Sequence, residues 1–202
     1  MNLLSSLRRS VNECKNIYCI AAIAMLLALR VVLGMFANLT LPAFGSMVKL
    51  SAAFLPIAVA GIMFGPVPAA LVGALGDIIS FMLVPTGGAY FPGFTISGLL
   101  TGLIYGFALY KNQVTLPRVI IGWTINMLVV ETFLAAYWLW VLNGYTADYV
   151  VYLSARFISA GIKCVPEILL IFFVGRLAAK INVNKRRAEM TGAGSFEPAR
   201  FL

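Results

Sequence analysis

Apolar residues in this chain do not alternate with polar ones. They run in long blocks separated by short polar, glycine- or proline-bearing stretches. A polar, basic segment, residues 1–16 with Arg8, Arg9 and Lys15, precedes a first block from Ile17 to about Ala37. The second, about Leu50 to Phe64, stops at Gly65-Pro66, and the third, about Ala69 to Val84, carries Gly73, Gly76 and Asp77 and stops at Pro85. The fourth runs from about Thr95 to Tyr110, the fifth from about Val119 to Leu142 and the sixth from about Tyr149 to Ala179. Blocks of this length predict membrane-spanning helices, the second and third being short for the task. The first is too long for a signal-peptide core and lacks a small-residue cleavage site, so it reads as a retained helix. The expectation is an all-α membrane protein: a six-helix bundle over residues 17–180, a cytoplasmic basic segment 1–16, and a basic, disordered cytoplasmic tail 181–202.

Composition supports this class. Of 202 residues, 61% are hydrophobic and 11% charged, with mean hydropathy +0.96, where a soluble domain carries about 25% charged residues. Six spans of about 20 residues leave roughly 80 for loops and tails, which fits one bundle and no second domain. Histidine is absent and the three cysteines (Cys14, Cys19, Cys164) form no close pair. A His/Cys metal cluster or a histidine-based triad is therefore excluded.

The net charge of +8 suggests nucleic acid in a soluble protein. In this chain it reports topology instead. With six spans, one side holds both termini and Arg8, Arg9, Lys15, Lys111, Arg118, Arg176, Lys180, Lys185, Arg186, Arg187 and Arg200, 11 of the 15 basic residues. That side is predicted to be the inside, with the lipid bilayer rather than nucleic acid as the surroundings.

Three connections then face outward: Asn38 to Lys49, Pro85 to Phe94 and Asn143 to Asp148. The second packs three glycines, two prolines and three aromatics into ten residues. Glycine allows close backbone approach, proline restricts the loop, and the rings of Tyr90, Phe91 and Phe94 offer flat faces to a planar ligand. A tight interfacial turn with an aromatic belt is the plainer alternative.

A charge at membrane depth costs about 2.5–3.5 kcal/mol on insertion scales, so each needs a reason. Arg30 lies near the outer end of the first block, where it either snorkels or faces a cavity. Asp77, Glu131, Arg156, Lys163 and Glu167 lie within later blocks. Lys163 and Glu167, four apart, could pair on one helix face, and Arg156 and Lys163, seven apart, share a face. A cavity lined by Arg30, Arg156 and Lys163 would be net positive and suit an anion. Thr95 is the expected N-cap of the fourth helix. Ala24 and Ala28 form a small-xxx-small face for a partner helix; Gly98 and Gly102 form another, read as internal packing. No Walker A pattern, nucleotide fingerprint or nucleophile–base pair occurs.

With these residues in view, the chain resembles the S-components of energy-coupling-factor (ECF) vitamin transporters, six short glycine-broken helices in about this length of chain. The stretch Gly88-Ala89-Tyr90-Phe91-Pro92-Gly93-Phe94-Thr95, preceded by Asp77 and Pro85, is similar to the loop of the folate-specific member. The resemblance implies a substrate-binding membrane subunit that is not an enzyme and has no cofactor of its own. It joins a transmembrane coupling subunit and two ATPase subunits, which use the ATP. It further implies that the loops after the first and third helices close over the vitamin, that Ala24-Met25-Leu26-Leu27-Ala28 meets the coupling subunit, and that the S-component topples to carry the vitamin inward. The substrate-site residues expected on this basis are Arg30 for an anionic or polar group, Phe91 and Phe94 for ring packing, and Gly93 and Thr95 for hydrogen bonds. Tyr90, Trp138, Arg156 and Lys163 stand behind them.

Three rivals remain at this stage. An S-component for riboflavin or thiamine keeps the architecture and changes the ligand; cationic thiamine suits the basic residues poorly. A membrane-embedded enzyme has only Asp77 and Glu131 as a conceivable carboxylate pair. A proton-coupled carrier would use the same two carboxylates without any ATPase partner.

Overall fold

A computed structural model of the chain describes residues 17–36, 38–43, 46–83, 90–110, 114–145 and 148–190, with segments 38–50 and 181–190 described by their backbone alone. Among these residues there are six helical elements and one hairpin. Helix α1 is Ile17–Phe36, whose 20 residues rise about 30 Å, the thickness of a bilayer's hydrocarbon core. It is peripheral: Cys19 and Val31 are its buried residues, and Ile20, Met25, Leu29 and Phe36 face outward.

The segment expected to be an outer loop is instead an antiparallel hairpin, β1 (Asn38–Ala43) and β2 (Ser46–Ser51). Its register pairs Leu39 with Leu50 and Leu41 with Val48, alternating with Asn38–Ser51 and Thr40–Lys49. That is the period-two pattern of a strand pair.

Helix α2, Phe54–Phe64, has 11 residues and rises only about 16 Å, too little to span. It is also the most enclosed: Ile57, Ala58, Ala60 and Ile62 are each at most 5% exposed. A half-length helix leaves its backbone ends at membrane depth, which is tolerated where protein or a cavity surrounds them. Gly65, at φ 98°, turns the chain directly into α3, Pro66–Leu83, a left-handed conformation that favours glycine.

Helix α4 is Pro92–Leu109, with Phe91 as its N-cap. Thr95 therefore lies inside the first turn and is not the cap expected of it. Proline at the first helical position, with φ already fixed, starts the helix three residues earlier. Helix α5, Leu116–Leu142, is interrupted by a π-helical segment, Met127–Leu134. Helix α6, Tyr149–Met190, continues ten residues past Lys180 with Pro166 in its interior. Residues 181–190, expected to be disordered, are helical; residues 1–16 and 191–202 lie outside the described set. Five helices (α1, α3, α4, α5 and α6) are long and apolar enough to cross a membrane, so the chain is a multi-pass membrane protein.

In lipid the hydrophobic effect does little to pull helices together, and close backbone packing does more. The tightest pair is α3 with α4. A Cβ on Gly102 would fall on the backbone of Ala69, and one on Gly106 on the backbone of Pro66. Gly98 meets Gly73 in the same way, so the Gly98/Gly102 face is internal packing, as its spacing predicts. Below, Ile62, Tyr105, Leu109, Val119, Trp123 and Ile171 form the core. This core supports the cavity described next.

Candidate functional site

The bundle holds a half-open cavity of about 280 Å³, just below the usual range for small-molecule sites. Its walls come from the C-terminal halves of α1 and α3, the N-terminal halves of α2 and α6, α4 from Phe94 to Tyr105, α5 from Asn126 to Ala135, and Ser51 at the end of the hairpin. It therefore lies toward the end of the bundle opposite the start of α1 and the C-terminal half of α6, beside the end of the hairpin.

Of the residues singled out from sequence, Arg30, Phe94, Arg156 and Lys163 line this cavity. Arg30 is brought in by glycines. Its Nη1 donates to the carbonyl of Val72 at 2.7 Å and to that of Gly73, and its guanidinium fills the space a side chain at Gly76 would take. The arginine is thus anchored on α3 rather than extended toward a membrane interface. Its snorkelling alternative is not what the structure adopts.

Tyr90, Phe91, Gly93, Thr95 and Trp138 stand behind the lining and hold it. Tyr90 Oη and Thr95 Oγ1 are 2.5 Å apart, and Thr95 Oγ1 donates to Asp77 Oδ2 at 2.9 Å. Trp138 Nε1 donates to Ser97 Oγ at 3.1 Å, and Ser97 Oγ in turn donates to the Gly93 carbonyl at 3.1 Å. Phe91 packs edge-on against both Trp138, 5.4 Å between centroids, and Phe94, 6.0 Å. Gly93 is bare because the Phe91 and Trp138 rings occupy the position of its Cβ. Phe91, Gly93 and Thr95, expected to contact a ligand, touch Phe94, Ser97 and Asp77, which line the cavity. The loop residues 84–89, including Gly88 and Ala89, lie outside the described residues.

The charge balance differs from the sequence expectation. Asp77, Glu131 and Glu167 line the same cavity as the three cations, so among the described residues its formal charge is balanced rather than positive. Lys163 Nζ lies 4.0 Å from Glu131 Oε2 across the α5–α6 interface. The expected partner, Glu167, accepts from Trp123 Nε1 at 2.8 Å. Asp77 and Glu131 do reach one cavity, each beside a counter-group: the Thr95 hydroxyl for Asp77 and the Lys163 ammonium for Glu131. Sequence reading passed over Asn126, Ser97 and Thr101, which also line the wall. Asn126 is an amide in an otherwise largely apolar run, five before Glu131, and that was the available signal. Among the described residues no group of three or more Cys, Asp or Glu side chains is placed to hold a metal ion.

Away from the cavity, Ala24 and Ala28 lie on the exposed face of α1, beside Met25 and Leu29.

Comparison with known proteins gives consistent matches. A family model described as the S component of an ECF-type riboflavin transporter matches residues 15–184. The folate transporter FolT of Clostridium novyi (strain NT) is 27% identical over 175 residues, covering 87% of this chain and 98% of the relative. FolT of Leuconostoc mesenteroides subsp. mesenteroides is 31% identical over 126 residues, 62% of this chain and 64% of that one. Among solved structures, a crystal structure of FolT bound with folic acid superposes with a TM-score of 0.67 at 30% identity, covering 77% of this chain and 90% of that one.

Proposed function

We propose that this chain, which belongs to the S-component family of ECF-type transporters, captures folate at the outer face of the cell membrane. As a member of that family it is a substrate-binding transporter subunit and not an enzyme. The folate reading rests on one observation above all: a cavity between six helices brings Arg30, Arg156 and Lys163 together with the Phe94 ring. Folate has two chemical ends, a planar pterin and a glutamate carrying carboxylates. The aromatic wall built on Phe94 suits the first, and the cations suit the second. The two relatives named folate transporter and the FolT structure holding folic acid support the same ligand.

Arg30 contributes by charge and by whichever guanidinium donors face the cavity, its orientation being fixed by the Val72 and Gly73 carbonyls. Phe91, Gly93, Thr95, Tyr90 and Trp138 act by holding the wall. Energy comes from outside this chain: a transmembrane coupling subunit docks on the exposed Ala24–Ala28 face of α1, and two ATPase subunits hydrolyse ATP. This chain carries no cofactor of its own in that scheme.

Riboflavin is the second ligand to consider, because the matching family model is described for it. The deciding experiment reconstitutes the chain with an ECF coupling module in liposomes. ATP-dependent uptake of labelled folic acid, absent for riboflavin and absent without the module, is the expected result. Uptake driven by a pH gradient without the module would replace this reading with a proton-coupled carrier.

A further inference from the structure

We propose that Glu131 is a tethered competitor for the ligand's carboxylate: it neutralises Lys163 until the glutamate end of folate takes its place, and so sets how tightly the vitamin is held. This rests on the folate reading and deepens it. Lys163 Nζ lies 4.0 Å from Glu131 Oε2, the lysine side chain 14% exposed and the glutamate 49%. Both line the cavity, with Arg156 and Glu167 at the same end. An ammonium at membrane depth needs a counter-charge, and Glu131 supplies one from the neighbouring helix.

The two carboxylates at this end are not equally free to leave. Glu167 accepts from Trp123 Nε1 at 2.8 Å, and Trp123 belongs to the core. A hydrogen bond to an ionised acceptor is one of the stronger kind, so that carboxylate is held in place. Glu131 is half-exposed on a half-open cavity, and its contact with the lysine is longer than the roughly 2.7–2.9 Å of a direct charge-assisted bond. A loose pair of this sort contributes little. The enclosed lysine therefore stays, and the glutamate can swing away.

A folate carboxylate arriving beside Arg156 and Lys163 exchanges one counter-charge for another. The lysine is paired before and after, so the exchange adds little for it. The displaced Glu131 keeps its charge in the same cavity, facing an anion, and that opposes binding. The penalty falls only on ligands that carry the carboxylate. A subunit that must give up its vitamin on the other side is served by a resident group that competes for the same lysine.

The test titrates the purified full-length protein in detergent, by tryptophan fluorescence, with folic acid and with its glutamate bis-amide, in which both carboxyls are carboxamides. Glu131→Gln keeps the shape and removes the charge. It is expected to bind folic acid about three- to tenfold more tightly than wild type, and the bis-amide no more tightly. In a Lys163→Met background the same substitution should give no gain, because the group competed for is gone. Folic acid affinity unchanged or lowered by Glu131→Gln, an equal gain for the bis-amide, or a gain that survives Lys163→Met overturns the proposal and leaves the folate reading standing. Wild type that binds no folic acid overturns both. If Lys163→Met does not fold, the bis-amide comparison decides. If Glu131→Gln does not fold, Glu131→Ala carries the same expectation, and failure of both to fold makes the carboxylate structural and overturns the proposal.

Discussion

The Arg30 guanidinium occupies the space in which a side chain at Gly76 would stand. Two glycines one turn apart on α3 thus do different work: Gly76 seats the arginine, and Gly73 lets α3 touch the backbone of α4 at Gly98.

This separation gives a paired prediction. Gly76→Ala displaces a flexible side chain, so it should weaken folic acid binding nearly as much as Arg30→Ala while leaving the melting temperature close to wild type. Gly73→Ala pushes against backbone, which cannot yield locally. It should lower stability by about 1–3 kcal/mol, seen as a lower melting temperature in detergent. Equal thermal loss in both variants would refute the distinction.

The outward face of α1 gives a second. Ala24→Leu with Ala28→Leu adds bulk on a face of α1 that is exposed among the described residues, so folic acid binding by the isolated protein should not change. Co-purification with a coupling module should fall sharply, since small residues are what allow close helix approach in lipid. Lost binding with an intact complex would contradict this.

Salt dependence follows from the cavity's balanced charge. Three carboxylates accompany the three cations, and buried charges are poorly screened. Folic acid affinity should therefore change less than about threefold between about 0.05 M and about 0.5 M NaCl, where long-range attraction by a positive cavity would decay much further. A steep loss would mean that the carboxylates are neutral or turned away.

The tryptophans should separate as reporters. Trp123 lies at the deep end and Trp138 braces Ser97, whereas Trp140 packs among Tyr137, Tyr145 and Tyr149. Trp140→Phe should keep most of the ligand-induced quenching. Trp123→Phe and Trp138→Phe should each remove a large part of it, read in the same titration.

The helices were legible in the sequence because a membrane demands long apolar blocks, and proline and glycine mark where they stop. The hairpin was not: its period-two signal spans only six residues per strand and is interrupted by Pro42. The π segment was not either, since Met127–Leu134 carries no composition that sets it apart from α-helix. For the site, the cations were visible as misplaced charges, and the structure does gather them. Their counter-charges were assigned within one helix, Lys163 to Glu167, because sequence shows only local spacing. The structure also brings Lys163 to Glu131, across the α5–α6 interface. The aromatic loop drew attention to Phe91, Gly93 and Thr95, which the structure places in contact with Phe94, Ser97 and Asp77. That distinction depends on which way each side chain turns from the start of α4, and this is set by Pro92 at its first position.

The central claim is that the cavity behind Arg30 and Phe94 is a folate site. The most direct measurement is a fluorescence titration of the purified protein with folic acid, repeated in the presence of riboflavin and with Arg30→Ala and Phe94→Ala. The account predicts saturable folic acid binding that riboflavin does not displace, weakened about tenfold or more by each substitution. Displacement by riboflavin, or unchanged affinity in both variants, would contradict it.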